Sequence, residues 1–131
     1  MPRLVPLPAF HDPRGDLSWV AGGHDLPFAI ARAYWLTSWT PGVARGVHAH
    51  RRLHQLYVAV HGTISIATDD GQTPRNFTLS RPNEGLLLGP MTWRSLTSSD
   101  PQAVLLALAD GPHDEAEIIR DRATFLDECR P

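Results

Sequence analysis

The chain has 131 residues, including 12 Pro and 10 Gly, with 20% charged positions and a formal net charge of -2, values that predict one compact soluble domain spanning 1–131. All 12 basic residues are Arg and Lys is absent, which excludes Schiff-base, pyridoxal-phosphate and P-loop chemistry, each built around an amine side chain. The one cysteine, Cys129, excludes a disulfide framework, a thiolate zinc site and an iron–sulfur cluster.

From the N-terminus, Met1 to Phe10 is interrupted by three prolines and predicts neither a secretory signal nor a membrane span, so a cytoplasmic protein is expected. Phe28 to Leu36 is rich in β-formers and is closed by the turn signal Thr40-Pro41-Gly42. Val47 to Ala67 predicts two strands folded on each other around His61-Gly62, with Val58 and Val60 on one face and Ile64 and Ile66 on one face. After the Asp69-Asp70-Gly71 turn come strands at Phe77–Leu79, Gly85–Leu88, Thr92–Leu96 and Ala103–Ala109, divided by Pro82-Asn83, Gly89-Pro90 and Asp100-Pro101. About eight short strands in this length predict an all-β jelly roll or small barrel. Helical spacing occurs in the tail, where Ile118, Ile119, Arg122, Phe125 and Leu126 predict one helix over 114–129. The charges form no basic block, and nothing supports nucleic-acid binding.

Seven histidines carry most of the chemical interest. His48 and His50 are two apart, which on a strand places both on one face. Arg45, Arg51 and Arg52 flank them, and this suits a proton-transfer site beside a cationic cradle, with the guanidinium charges favouring neutral imidazole.

The spacing Gly42, His48, His50, position 55, Gly62 resembles the first motif of the cupin superfamily. Position 55 is Gln where metal-binding cupins have Glu. The region of the second motif, Gly89-Pro90-Met91-Thr92-Trp93-Arg94, supplies Trp and Arg in place of a third His. An Arg has no lone pair for a cation, so no metal site is expected.

Beyond that motif the chain is similar to one non-metal cupin family, the nucleotide-sugar 3,4-ketoisomerases of the FdtA/QdtA (WxcM-like) type. The resemblance runs through Asp12-x-Arg14-Gly15-x-Leu17, Pro27-Phe28-x-Ile30-x-Arg32-x-Tyr34, Arg45-Gly46-x-His48-Ala49-His50, Gln55, Asp70-Gly71, Pro82-x-x-Gly85-Leu86, Gly89-Pro90-x-x-Trp93, Val104-x-x-x-Leu108-Ala109, Asp114-Glu115, Ile119-Arg120 and Phe125. It implies a cupin-type jelly-roll β-barrel with a short C-terminal helix and a homodimer with strand exchange. It also implies interconversion of the 3-keto and 4-keto forms of a thymidine-diphosphate (dTDP) 6-deoxyhexose, without a cofactor, in deoxyaminosugar biosynthesis for a surface glycan or antibiotic.

On this resemblance His48 is the general base and His50 the second acid/base, with Tyr34 donating a hydrogen bond to the enediolate. Arg32 and Arg45 clamp the diphosphate, Arg51 replaces a family Lys, and Gln55 and Trp93 complete the substrate pocket. The chain departs from the family pattern at Ala21, expected as Glu on the first strand, and at Ile118 and Arg122, expected as Tyr. Two alternatives stand beside this reading: a metal-dependent cupin that recruits His54 as a further ligand, and a non-catalytic cupin that only binds a nucleotide sugar or carbohydrate.

Overall fold

The computed structural model describes residues 2–131. Its strands are β1 (Arg3–Pro6), β2 (Ala9–Asp12), β3 (Gly15–Ser18), β4 (Arg32–Leu36), β5 (Arg45–His50), β6 (Gln55–His61), β7 (Ile64–Asp69), β8 (Pro74–Leu79), β9 (Glu84–Leu88), β10 (Trp93–Thr97), β11 (Val104–Ala109) and β12 (Ile118–Ile119). Helix α1 (Arg122–Cys129) follows. One sheet has the order β1-β9-β6-β11-β4, the second has the order β12-β5-β10-β7-β8, and β2 and β3 form a separate hairpin. The two five-stranded sheets pack face to face as an antiparallel jelly roll that is not hydrogen-bonded into a closed barrel.

Alternation along each strand decides what fills the space between the sheets. Tyr57 and Ala59 from β6, Ile64 and Ile66 from β7, Leu86 and Leu88 from β9, Leu96 from β10, and Leu105 and Ala107 from β11 form the central core. The outer face of the first sheet is also apolar: Val5, Leu56, Val58, Leu87 and Leu108 pack under Leu7, Leu26 and Phe28. Each fully buried Leu or Ile contributes roughly 1.5–3 kcal/mol relative to an exposed one. The outer face of the second sheet is covered by α1, where Phe125 meets Ala49, Trp93 and Ile119.

Two expectations are corrected. The region 47–67 contains three strands, and the two meeting at His61-Gly62 belong to different sheets: β6 pairs with β9 and β11, whereas β7 pairs with β8 and β10. The crossing turn is tight. Gly62 has φ +74, and a Cβ there would lie 2.6 Å from Asp100 Oδ2 and 2.9 Å from Ala103 Cα, so glycine is required.

The tail is not a single helix. A 3-10 turn at Glu115–Glu117 leads into β12, whose Ile118 and Ile119 pair with His50 and Ala49. The helix starts only after Asp121, whose carboxylate accepts from the Thr124 N–H at 2.9 Å as an N-cap. Consecutive β-branched residues fit a strand edge better than a helix, and the edge of β5 was available for pairing. This short pairing carries Glu117 to the histidine pair.

Candidate active site

The inner face of β5 carries the site. Leu96 pairs with Arg45 and Arg94 with His48, so β5 holds one extra residue there as a bulge, at Gly46 (φ 60). The bulge brings Arg45 onto the same side as His48 and His50 although its spacing from them is odd. A Cβ on Gly46 would meet Leu96 Cδ1 at 3.0 Å.

His48 and His50 meet edge to face, with ring centroids 4.7 Å apart and Nε2 to Nε2 at 3.0 Å. His50 Nδ1 is hydrogen-bonded to Glu117 Oε1, with both side chains almost fully buried. The other carboxylate oxygen, Oε2, accepts from the N–H groups of Arg52 at 3.1 Å and Leu53 at 3.4 Å. Because a carboxylate only accepts, His50 Nδ1 carries the hydrogen, and neutral His50 presents a bare Nε2. His48 must then donate from its own Nε2, which leaves its Nδ1 with the free lone pair.

Burial lowers the pKa of His48 to about 3, helped by the charge of Arg94 and by His50 and Arg120. The pKa of His50 is lowered by burial and then by Arg94, against the opposing pull of Glu117. Both imidazoles are therefore held neutral, as bases must be. The cations responsible differ from those expected, being Arg94, Arg120 and Arg32 rather than Arg45, Arg51 and Arg52.

Arg94 of β10 is fully buried between the sheets. Its Nη1 donates to Gln55 Oε1 at 2.8 Å and to Tyr57 Oη at 3.3 Å, and its Nε and Nη2 donate to Thr92 O at 3.2 and 2.9 Å. Gln55 in turn donates from Nε2 to Tyr34 Oη at 3.1 Å. Burial raises the Tyr34 pKa well above its ordinary value, so the phenol keeps its hydrogen.

A cavity of about 290 Å³ is lined by Arg32, Tyr34, His48, His50 and His113. Four of the expected site residues thus share one space. Arg32 stacks on the Tyr34 ring with its Cζ 5.1 Å from the centroid, and its buried Nε has no partner among the described residues.

Other expected site residues lie elsewhere. Gln55 does not line the cavity and instead sits behind Tyr34 in the buried amide network. Arg45 donates to Thr37 O at 2.7 Å and stacks over Trp39, with its guanidinium committed to the protein. Trp93 faces away from the histidines and packs on Phe125 with ring centroids 5.6 Å apart, because Arg94, its strand neighbour, occupies the inner face. Arg51, one residue beyond His50, turns to the outside and holds Glu128 through two 2.8 Å bonds. Ala21 lies in an exposed turn after β3 rather than on a strand. His54, the alternative metal ligand, bonds Asp110 Oδ2 at 2.8 Å outside the cavity. Among the described residues no group of three or more His, Cys, Asp or Glu has an arrangement that could hold a metal ion.

Sequence reading missed three participants. Glu117 falls inside the segment expected as one helix and was not singled out; an acidic residue before two Ile is its weak signal. Arg94 was noted only as a residue unable to bind metal. His113, one of the seven histidines and given no role from the sequence, stands at the cavity beside Glu115, with Nε2 to Oε2 at 3.3 Å.

The fold and site together define a cupin-type jelly roll in which an imidazole pair, a phenol and guanidinium groups occupy the place of a metal-ligand set. The FdtA family model, described as WxcM-like, C-terminal, matches residues 2–130, and the chain belongs to this family. It is 32% identical over 123 residues, covering 94% of this chain and 88% of the relative, to the TDP-4-oxo-6-deoxy-alpha-D-glucose-3,4-oxoisomerase of Aneurinibacillus thermoaerophilus. Its structure is similar to that of the sugar 3,4-ketoisomerase QdtA of Thermoanaerobacterium thermosaccharolyticum in complex with TDP, with TM-score 0.95, 31% identity and coverage of 98% and 93% of the two chains. It also matches a 3,4-ketoisomerase from Helicobacter canadensis with TM-score 0.94, 34% identity and coverage of 98% and 96%.

Proposed function

We infer that this protein is a TDP-sugar 3,4-ketoisomerase acting on a TDP-4-keto-6-deoxyhexose. The observation that carries this reading is the neutral His48–His50–Glu117 array, with His50 and Glu117 buried and His48 half-buried, opening on one cavity with Tyr34 and Arg32. The family's relatives supply the reaction class. In the proposed reaction His48 takes the proton from C3, and the C3–H electron pair becomes the C3–C4 double bond as the C4 carbonyl oxygen becomes the enediolate oxygen. Tyr34 donates a hydrogen bond to that oxygen. A proton returned at C4 by the imidazole pair, and loss of the O3 proton to the O4 side, give the 3-keto sugar. No atom or electron is gained or lost overall.

Neutral imidazole is the form this step needs, and the low dielectric around His48 maintains it. The orientation imposed by Glu117 through His50 is the same device by which a buried carboxylate sets a catalytic imidazole's tautomer in hydrolases. Arg32, with an unsatisfied buried donor, is placed to grip an anionic part of the substrate.

The same reading includes a homodimer with strand exchange in the cytoplasm. Supporting the dimer, Phe10 and Leu17 form an exposed cross-strand pair on the β2–β3 hairpin. An apolar groove of about 510 Å³ lined by Leu7, Trp19, Ile30, Val58, Val60 and Leu106 runs over the first sheet. Among the described residues no helix is long and apolar enough to cross a membrane.

The decisive experiment is incubation with TDP-4-keto-6-deoxyglucose in deuterated water, followed by NMR. Deuterium at C3 of recovered substrate and C4 of product is expected, dependent on His48. Tight binding with no incorporation would overturn the reading in favour of a binding protein. Light scattering of the wild type against Leu17→Asp tests the dimer, which the charged variant is expected to dissociate.

A further inference from the structure

We propose that Gln55 is a positioning residue whose amide, oriented by Arg94, forces Tyr34 to present its hydroxyl hydrogen to the cavity. The inference rests on the ketoisomerase reading and adds to it a residue that touches no substrate. Arg94 and Tyr57 both donate to one atom of the Gln55 side chain, at 2.8 and 3.1 Å. A guanidinium has no acceptor, so that atom is the amide oxygen and the amide NH₂ faces Tyr34. Tyr34 Oη must accept from this NH₂ at 3.1 Å. Its single hydrogen is excluded from that direction and is free to turn into the cavity that Tyr34 lines, where a developing enediolate, as a charged acceptor, outcompetes the neutral hydroxyl of neighbouring Tyr57.

This gives a physical reason for Gln at the position where the cupin motif has Glu. A carboxylate of the same shape would pair with Arg94 and accept from Tyr34. The phenol hydrogen would then be drawn inward and only lone pairs would face a developing enediolate. The network makes Tyr34 a donor preset before substrate arrives, which is the condition under which an oxyanion contact accelerates a reaction.

The test compares wild type, Gln55→Glu, Gln55→Met, Tyr34→Phe and the double variant Gln55→Glu/Tyr34→Phe in thermal melting and in steady-state turnover of TDP-4-keto-6-deoxyglucose. Gln55→Glu is expected to lose about 10²–10³-fold in kcat, the usual cost of one oxyanion donor, with little change in KM. The double variant is expected to be no slower than Tyr34→Phe, because both changes remove the same hydrogen bond. Gln55→Met is expected to melt lowest, since Arg94 loses an acceptor, yet to retain more kcat than Gln55→Glu. A purely structural role for Gln55 would put stability and kcat in the same order across wild type, Gln55→Glu and Gln55→Met. Wild-type kcat in Gln55→Glu, or a full further loss on the Tyr34→Phe background, would overturn the proposal while wild-type turnover upholds the ketoisomerase reading. A wild type inert on this sugar would overturn that reading first and the kinetic role of Gln55 with it.

Discussion

His48 and His50 face each other through their Nε2 atoms at 3.0 Å, and the hydrogen between them belongs to His48 because Glu117 holds the other end of His50. Removing the first imidazole removes the proposed base. His48→Gln is expected to slow turnover by about 10²–10⁴-fold, the range for general-base loss, with the fold retained. Deuterium exchange at C3, followed by NMR, is the direct measure.

Glu117→Gln is expected to act on both stability and rate. An amide cannot accept on both sides, so either His50 Nδ1–H or the Arg52 and Leu53 amides lose a partner. A buried group left unsatisfied costs roughly 1–3 kcal/mol. A lower melting temperature should accompany a kcat loss that survives assay well below the melting transition.

The pH dependence has a defined sign. His48 titrates at about 3 in the folded protein, below its ordinary value near 6.5. Between these values the unfolded chain binds more protons than the native one, so stability from this group is complete above about pH 6.5 and declines as pH falls toward 3. Chemical denaturation at pH 7 and pH 5 should show lower stability at pH 5. Over the same interval kcat/KM should show no acid limb near 6.5, since His48 stays neutral in the native state.

Trp93→Ala should separate stability from chemistry. The ring lies in the cluster with Phe125 and Ile119, on the far side of the strand from the cavity, and truncating a buried aromatic typically costs about 3–5 kcal/mol. The remaining folded fraction should keep its KM. By contrast Arg51→Gln removes a partly exposed pair with Glu128 and a bond to Ala116 O, both outside the cavity, and is expected to leave KM for the TDP-sugar unaltered.

Chelation offers a separate check on the donor set. Three imidazoles, those of His48, His50 and His113, line the cavity with Tyr34, but among the described residues no three His, Cys, Asp or Glu side chains are arranged to hold a metal ion, and a buried guanidinium stands behind the pair. Dialysis against EDTA is expected to leave turnover unchanged, and restored activity on adding a divalent metal would contradict that outcome.

Much of the site was legible in local order. Period-two spacing placed His48 and His50 on one face, and the family resemblance pointed to Arg32 and Tyr34, which lie on the strand expected at Phe28–Leu36 and line the same cavity. Local order misled where side chains face different layers at adjacent positions. Trp93 and Arg94 are neighbours in sequence, yet one belongs to the outer cluster and the other to the buried centre. Arg51 was assigned to the pocket because it follows His50, but the strand's alternation sends it outward.

The sequence by itself determined the β rhythm, the exclusion of lysine and thiolate chemistry, and the imidazole pair, because each depends on residue type or on spacing within a strand. Only the tertiary structure decided that Glu117, 67 residues from His50, sets the tautomers, and that Arg94 and Gln55 govern Tyr34. These contacts arise from the pairing of β12 with the edge of β5 and from two sheets closing over one another. Burial then turns them into strong interactions, since polar groups away from water must satisfy one another's donors and acceptors.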